Sequence, residues 1–140
     1  FEAGFAGLEP VRASTHASAI RIGDPVSYRR AVRSIEETDG VVLAVPDESI
    51  FDAKAEVDAD GLGAEPASCA AVAGAKALAD AGRIGPGERV VCVLTGHLLK
   101  DPQATMSYHA GELAGVESRS ANRPEAVDPR ADAVLELLSR

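Results

Sequence analysis

Val41-Val42-Leu43-Ala44-Val45-Pro46 is an unbroken apolar run closed by a proline, and its reading decides the fold. A short, Val-rich run with no polar alternation is what a strand covered on both faces looks like. A second run of the same kind, Val90-Val91-Cys92-Val93-Leu94-Thr95-Gly96, follows a turn built on Gly85, Pro86 and Gly87. Working outward, helical patterns flank both runs. Asp24 and Pro25 supply an N-cap and a first-turn proline, and Val26, Tyr28, Ala31, Val32 and Ile35 recur at helical spacing up to about Thr38. Asp47 opens another helix, running to about Val57, and Glu65-Pro66-Ala67 opens a third that ends at Gly82. In that third helix Ala67, Ala70, Ala71, Gly74, Ala77 and Ala81 fall three or four residues apart, so one face carries almost no side-chain volume and suits close packing.

Helices alternating with uniformly apolar strands predict an α/β layer, a mostly parallel open sheet with helices on both faces. Two strands leave open edges, so their partners are expected in another part of the protein or in another chain. Four stretches are expected: an irregular entry segment over 1–13, the main unit over 14–102, a polar, Gly-containing linker over 103–125, and a C-terminal amphipathic helix over 126–140.

Bulk properties narrow the function. The chain of 140 residues carries 22 acidic and 14 basic side chains for a net charge of −8, with Lys54, Lys76 and Lys100 as its lysines. The nearest basic stripe, Arg29, Arg30 and Arg33, is followed at once by Glu36 and Glu37, which argues against nucleic-acid binding. An acidic, lysine-poor surface suits solubility at high salt. No apolar stretch approaches membrane-spanning length, and a cytoplasmic location is expected. Cys69 and Cys92 each sit in an apolar run as free thiols do. His16, His97 and His109 have no metal-ligand spacing, so no metal site is expected, and neither a nucleophile elbow nor a P-loop occurs.

Two polar residues stand where chemistry collects. Thr95 lies at the carboxyl end of the second run, the edge at which open parallel sheets bind ligands; it can either cap the strand or present its hydroxyl. Glu65 stands at the start of the small-residue helix, where it either caps the helix or serves a site. Lys100 is followed by Asp101, which favours the charged, unreactive amine.

Three segments, taken in order, resemble threonine synthase: Ser14-Thr-His-Ala-Ser-Ala-Ile-Arg-Ile-Gly23, Glu65-Pro-Ala-Ser-Cys-Ala-Ala71, and Thr95-Gly-His-Leu-Leu-Lys-Asp-Pro102. The resemblance extends from Thr15 to about Pro102 and departs from the family pattern at Leu98, where glycine is usual, and Cys69, where alanine is usual. It implies a C-terminal fragment of a two-domain, fold-type-II pyridoxal-phosphate enzyme of the tryptophan-synthase-β group. It further implies conversion of O-phospho-L-homoserine and water to L-threonine and phosphate. By the same resemblance Thr95 meets the pyridine nitrogen, Glu65 lies near the ring, and the Ala17–Ala19 backbone, with Ala19, lines the adjoining pocket. The Schiff-base lysine and the glycine-rich phosphate loop belong to the family's earlier sequence. The chain alone is therefore expected to be inactive, with the N-terminal part of the enzyme as its partner and a homodimer as a candidate assembly. The alternatives are a fragment of a threonine or serine dehydratase or of a cysteate synthase, or a non-catalytic remnant acting as an interaction module.

Overall fold

A computed structural model describes residues 1–140, and it contains helices and no sheet. The helices are α1 (Tyr28–Glu37), α2 (Asp47–Ala59), α3 (Pro66–Asp80), α4 (Pro102–Ala110) and α5 (Ala131–Leu138), with short 3₁₀ turns at Ser18–Ile20 and Leu98–Lys100.

The expected parallel sheet is corrected by this arrangement. Neither Val41–Val45 nor Arg89–Thr95 takes part in a backbone–backbone hydrogen bond, and the one β-type pairing is an isolated antiparallel bridge between Ala64 and His97. Neither run forms regular secondary structure, and residues of both line a groove with Ala71, Gly74 and Leu78 of α3 instead of pairing with each other. The reason is physical: an apolar run states that its side chains want cover, whereas a ladder also needs a neighbouring backbone alongside, at about 4.8 Å. Here α3 covers one side of the runs, and Val91 remains 88% exposed.

The core lies between α2 and α3. Ile50, Ala53 and Val57 of α2 meet Cys69 and Ala73 of α3, and Ala17 and Ala64 close the cluster. The small-residue face of α3 gives close approach as expected: the side chain of Leu43 comes to 4.0 Å from the place a Cβ would take on Gly74. α2 is buried on a second side too, where Phe51 stacks on Tyr108 of α4 with ring centroids 5.7 Å apart. Lys54, buried between these surfaces, pairs with Asp58 at 2.6 Å one helical turn on, the arrangement a buried ammonium requires.

Helix ends follow the chain's punctuation. Pro46 occupies the cap position of α2 and Asp47 its first turn, which frees the Asp47 carboxylate to accept from the Thr15 hydroxyl and, at 2.7 Å, from the His16 amide. These two bonds hold the Ser14–Ile20 stretch against the core. α3 ends at Asp80, with Gly82 taking φ +68 two residues later. Residues 103–125, polar in composition, begin inside α4, and from there Leu113 and Val116 pack beside Tyr108.

Candidate functional site

Two short segments are laced together at the start of α3. The Glu65 amide donates to the Gly96 carbonyl at 2.9 Å, and the Leu98 amide donates to the Gly63 carbonyl at 3.3 Å, on either side of the Ala64–His97 bridge. Glu65 is extended, with φ −68 and ψ 154, and Pro66 sets the first turn of the helix behind it. Its side chain caps nothing. Instead it lies across Gly96, 6% exposed, so close that a Cβ on that glycine would fall 1.9 Å from a carboxylate oxygen.

Ser68, one turn into α3 and 3% exposed, is the hub of this corner. Its Oγ accepts from the Gly96 amide at 2.8 Å, lies 3.1 Å from Thr95 Oγ1, and lies 3.5 Å from Glu65 Oε1. Thr95 itself is exposed, so its hydroxyl is tethered from behind and open in front. The structure therefore brings Thr95 and Glu65 to one place through a residue that sequence reading passed over. The signal was present: Ser68 sits three residues after Glu65, one helical turn away, on the same face of α3.

Ala19 is exposed at the centre of the Ser18–Ile20 turn, which packs against α3. The Ser18 hydroxyl donates to Asp101 at 2.6 Å and so ties this turn to the loop that leaves Thr95. The segments carrying Ala19, Glu65 and Thr95 are thus joined, although the only direct side-chain link runs through Ser68 to the latter two. Asp101 faces Ser18, and Lys100 is exposed and outside every ion pair. Leu98 begins a 3₁₀ turn without positive φ, and its Cδ2 lies 2.4 Å from where a Cβ on Gly63 (φ +60) would stand. The exchange at this signature position thus fills space over a glycine and leaves the backbone unstrained. Cys69, the other departure, is buried, and burial pushes its thiol up to about 11.

The histidines serve the scaffold. His97 Nδ1 accepts from the Leu99 amide at 3.2 Å, His16 Nε2 lies 2.9 Å from the Ala114 carbonyl, and His109 Nδ1 accepts from the Asn122 amide at 2.9 Å. Burial lowers the His109 pKa from its ordinary value.

A family model described as pyridoxal-phosphate dependent enzyme matches residues 2–96. The chain belongs to this family. The resemblance read from the three motifs is borne out in its relatives. It is 42% identical over 125 residues to a threonine synthase of Methanosarcina acetivorans, covering 89% of this chain and 28% of that protein. Threonine synthase 2, chloroplastic, of Arabidopsis thaliana is 35% identical over 140 residues, covering 99% of this chain and 27% of its own length. A threonine synthase of Halalkalibacterium halodurans is 47% identical over 94 residues, covering 66% of this chain and 27% of its own. The chain thus spans little more than a quarter of these relatives. Pyridoxal phosphate is the cofactor of the pyridoxal-phosphate dependent enzymes. The Thr95 corner offers such a group an exposed residue with a neutral hydroxyl, a glycine beside it that adds no bulk, and a carboxylate lying against that glycine. No helix is long and apolar enough to cross a membrane.

Proposed function

We propose that these residues form the ring-nitrogen side of the cofactor cleft of a threonine synthase that converts O-phospho-L-homoserine and water to L-threonine and phosphate. The observation that carries this reading is the Thr95 hydroxyl, exposed at the end of an apolar run and anchored 3.1 Å from Ser68 on the small-residue helix. Bound in such a cleft, pyridoxal phosphate supplies the electron sink for β,γ-elimination of phosphate and its replacement by water. The chain's own residues do the positioning. Thr95 offers the ring nitrogen a neutral hydrogen-bonding partner, and Glu65 borders the ring. The backbone at Ala19 lines the pocket, held there by the bonds from Thr15 and His16 to Asp47 and from Ser18 to Asp101.

The lysine that bears the cofactor and the loop that holds its phosphate are assigned to sequence outside these residues, so the remainder of the enzyme is the expected partner. The test is a phosphate-release assay on the holoenzyme. Thr95→Ala should slow release of phosphate from O-phospho-L-homoserine about 2- to 10-fold, the worth of one hydrogen bond between neutral groups. A dehydratase would release a 2-oxo acid and no phosphate, and full activity in Thr95→Ala would remove the assignment of that hydroxyl.

A further inference from the structure

The segment that follows α4 turns back over it. Gly111, in the left-handed region at φ +75, reverses the chain, and Leu113 and Val116 then pack on the Phe51–Tyr108 pair. Four side chains hold this return. His16 Nε2 lies 2.9 Å from the Ala114 carbonyl, Glu48 of α2 pairs with Arg119 at 2.6 Å, the Tyr108 hydroxyl accepts from the Ser120 amide at 3.0 Å, and His109 Nδ1 accepts from the Asn122 amide at 2.9 Å. Beyond Asn122, no hydrogen bond or ion pair joins residues 123–140 to the rest of the chain, so the His109 contact is the root of the C-terminal tail that carries α5. The two histidine contacts run in opposite directions. A carbonyl can only accept, so His16 carries a proton on Nε2 and keeps that donor when charged. A backbone amide can only donate, so His109 Nδ1 must offer a lone pair, which puts its one proton on Nε2 and forbids the imidazolium.

We propose that the His109–Asn122 bond is an acid-opened latch on the C-terminal tail: protonation of His109 replaces the lone pair with an N–H facing the Asn122 N–H, and the tail comes free back to Ser120 while His16 keeps hold of Ala114. The latch is independent of the cofactor reading. The groups around the ring set its direction. Burial lowers the His109 pKa most; Asp58 on α2 works against it, and Lys54, paired with Asp58 at 2.6 Å, works with it. On its own helix Tyr108 meets the ring edge-on at 5.1 Å, with its phenol protonated and bonded to Asp52. On the returning segment Arg119 is taken up by Glu48 and Glu117, and Arg123, next to Asn122, is exposed. The closed form thus keeps His109 neutral below its ordinary value of 6.5, while the open form takes the proton at that value. Falling pH therefore favours the open form and rising pH the closed one.

The experiment follows the full chain of 140 residues by NMR from about pH 8 to about pH 5, the range that spans a histidine titration. It reads proton uptake at the His109 ring and, at each pH, exchange of the Asn122 amide relative to that amide's intrinsic rate. As His109 takes its proton, Asn122 protection should fall about two- to tenfold, the worth of one hydrogen bond between neutral groups. The Ser120 amide, held by a phenol that does not titrate in this range, should change less than about twofold over the same interval. Backbone relaxation should show fast motion reaching from Arg123 back to Ala121 in acid. His109→Ala, with no acceptor, should leave Asn122 unprotected at every pH. His109→Gln, whose side-chain carbonyl accepts without titrating, should remove the acid response even if the alanine variant folds poorly. Asn122 protection that stays level while His109 takes its proton overturns the latch. So does an acid response that persists in either variant, since it places the titrating group elsewhere.

Discussion

Gly96 has no room for a side chain. A Cβ there would meet the Glu65 carboxylate oxygen at 1.9 Å, its carboxyl carbon at 2.1 Å and its Cγ at 2.8 Å, and the amide of the same residue holds Ser68 in place. Gly96→Ala must therefore displace a buried carboxylate, with a cost of about 1–3 kcal/mol typical of overpacking. Urea unfolding should show a lower midpoint with an unchanged slope. The same close approach explains why Glu65 does not cap its helix: its carboxylate is committed across Gly96, and the first turn of α3 begins with Pro66, which has no amide to satisfy.

Tyr108 is the buried side chain that ties α4 to α2. Tyr108 stacks on Phe51, donates its hydroxyl to Asp52, and accepts from the Ser120 amide at 3.0 Å, so it fixes both the helix and the chain that returns from it. Burial, and then the adjoining Asp52 carboxylate, push the phenol up to about 12 from an ordinary value near 10. The sign follows from proton binding: between these values the unfolded chain has lost the proton and the folded chain keeps it, so rising pH favours unfolding. Stability from this site is complete below about pH 10 and is lost as pH climbs toward 12. Tyr108→Phe should lower stability at neutral pH by about 1–2 kcal/mol, because Asp52 and the Ser120 amide lose their partner. Its alkaline decline should also be shallower than that of the unaltered chain, and thermal melts recorded from pH 8 to pH 12 read both effects.

At the scale of the molecule, only 15 of 140 residues are buried, while Val41, Val42, Leu43, Val90, Val91 and Val93 are all exposed. Five of these line one apolar groove over α3. A surface of this kind, joined to backbone with no ladder bonds, invites association. The 140-residue chain in solution should bind a hydrophobic dye and grow in apparent mass with concentration by light scattering. Val91→Lys should weaken both responses, and a concentration-independent monomer that binds no dye would show the groove to be self-sufficient.

How much was legible in the letters differs by feature. Helix periodicity and punctuation found α1, α2 and α3 to within about two residues, because side-chain spacing and capping are local properties of the chain. The three threonine-synthase motifs were equally local, and they led to the family. The sheet was not legible, because periodicity reports what side chains need and says nothing of whether a second backbone lies alongside. Ser68 was also hidden, since its importance comes from Thr95 and Gly96, which lie 27 and 28 residues away and meet it only when the Gly63–Glu65 and Gly96–Leu98 segments are laced together. Sequence alone determined α1, α2 and α3, the family and the identity of the hydroxyl at position 95, whereas α4 lies where a linker was expected. Tertiary structure decided what that hydroxyl is bonded to and where the apolar runs lie, because hydrogen-bond direction and strand pairing are relations between distant residues.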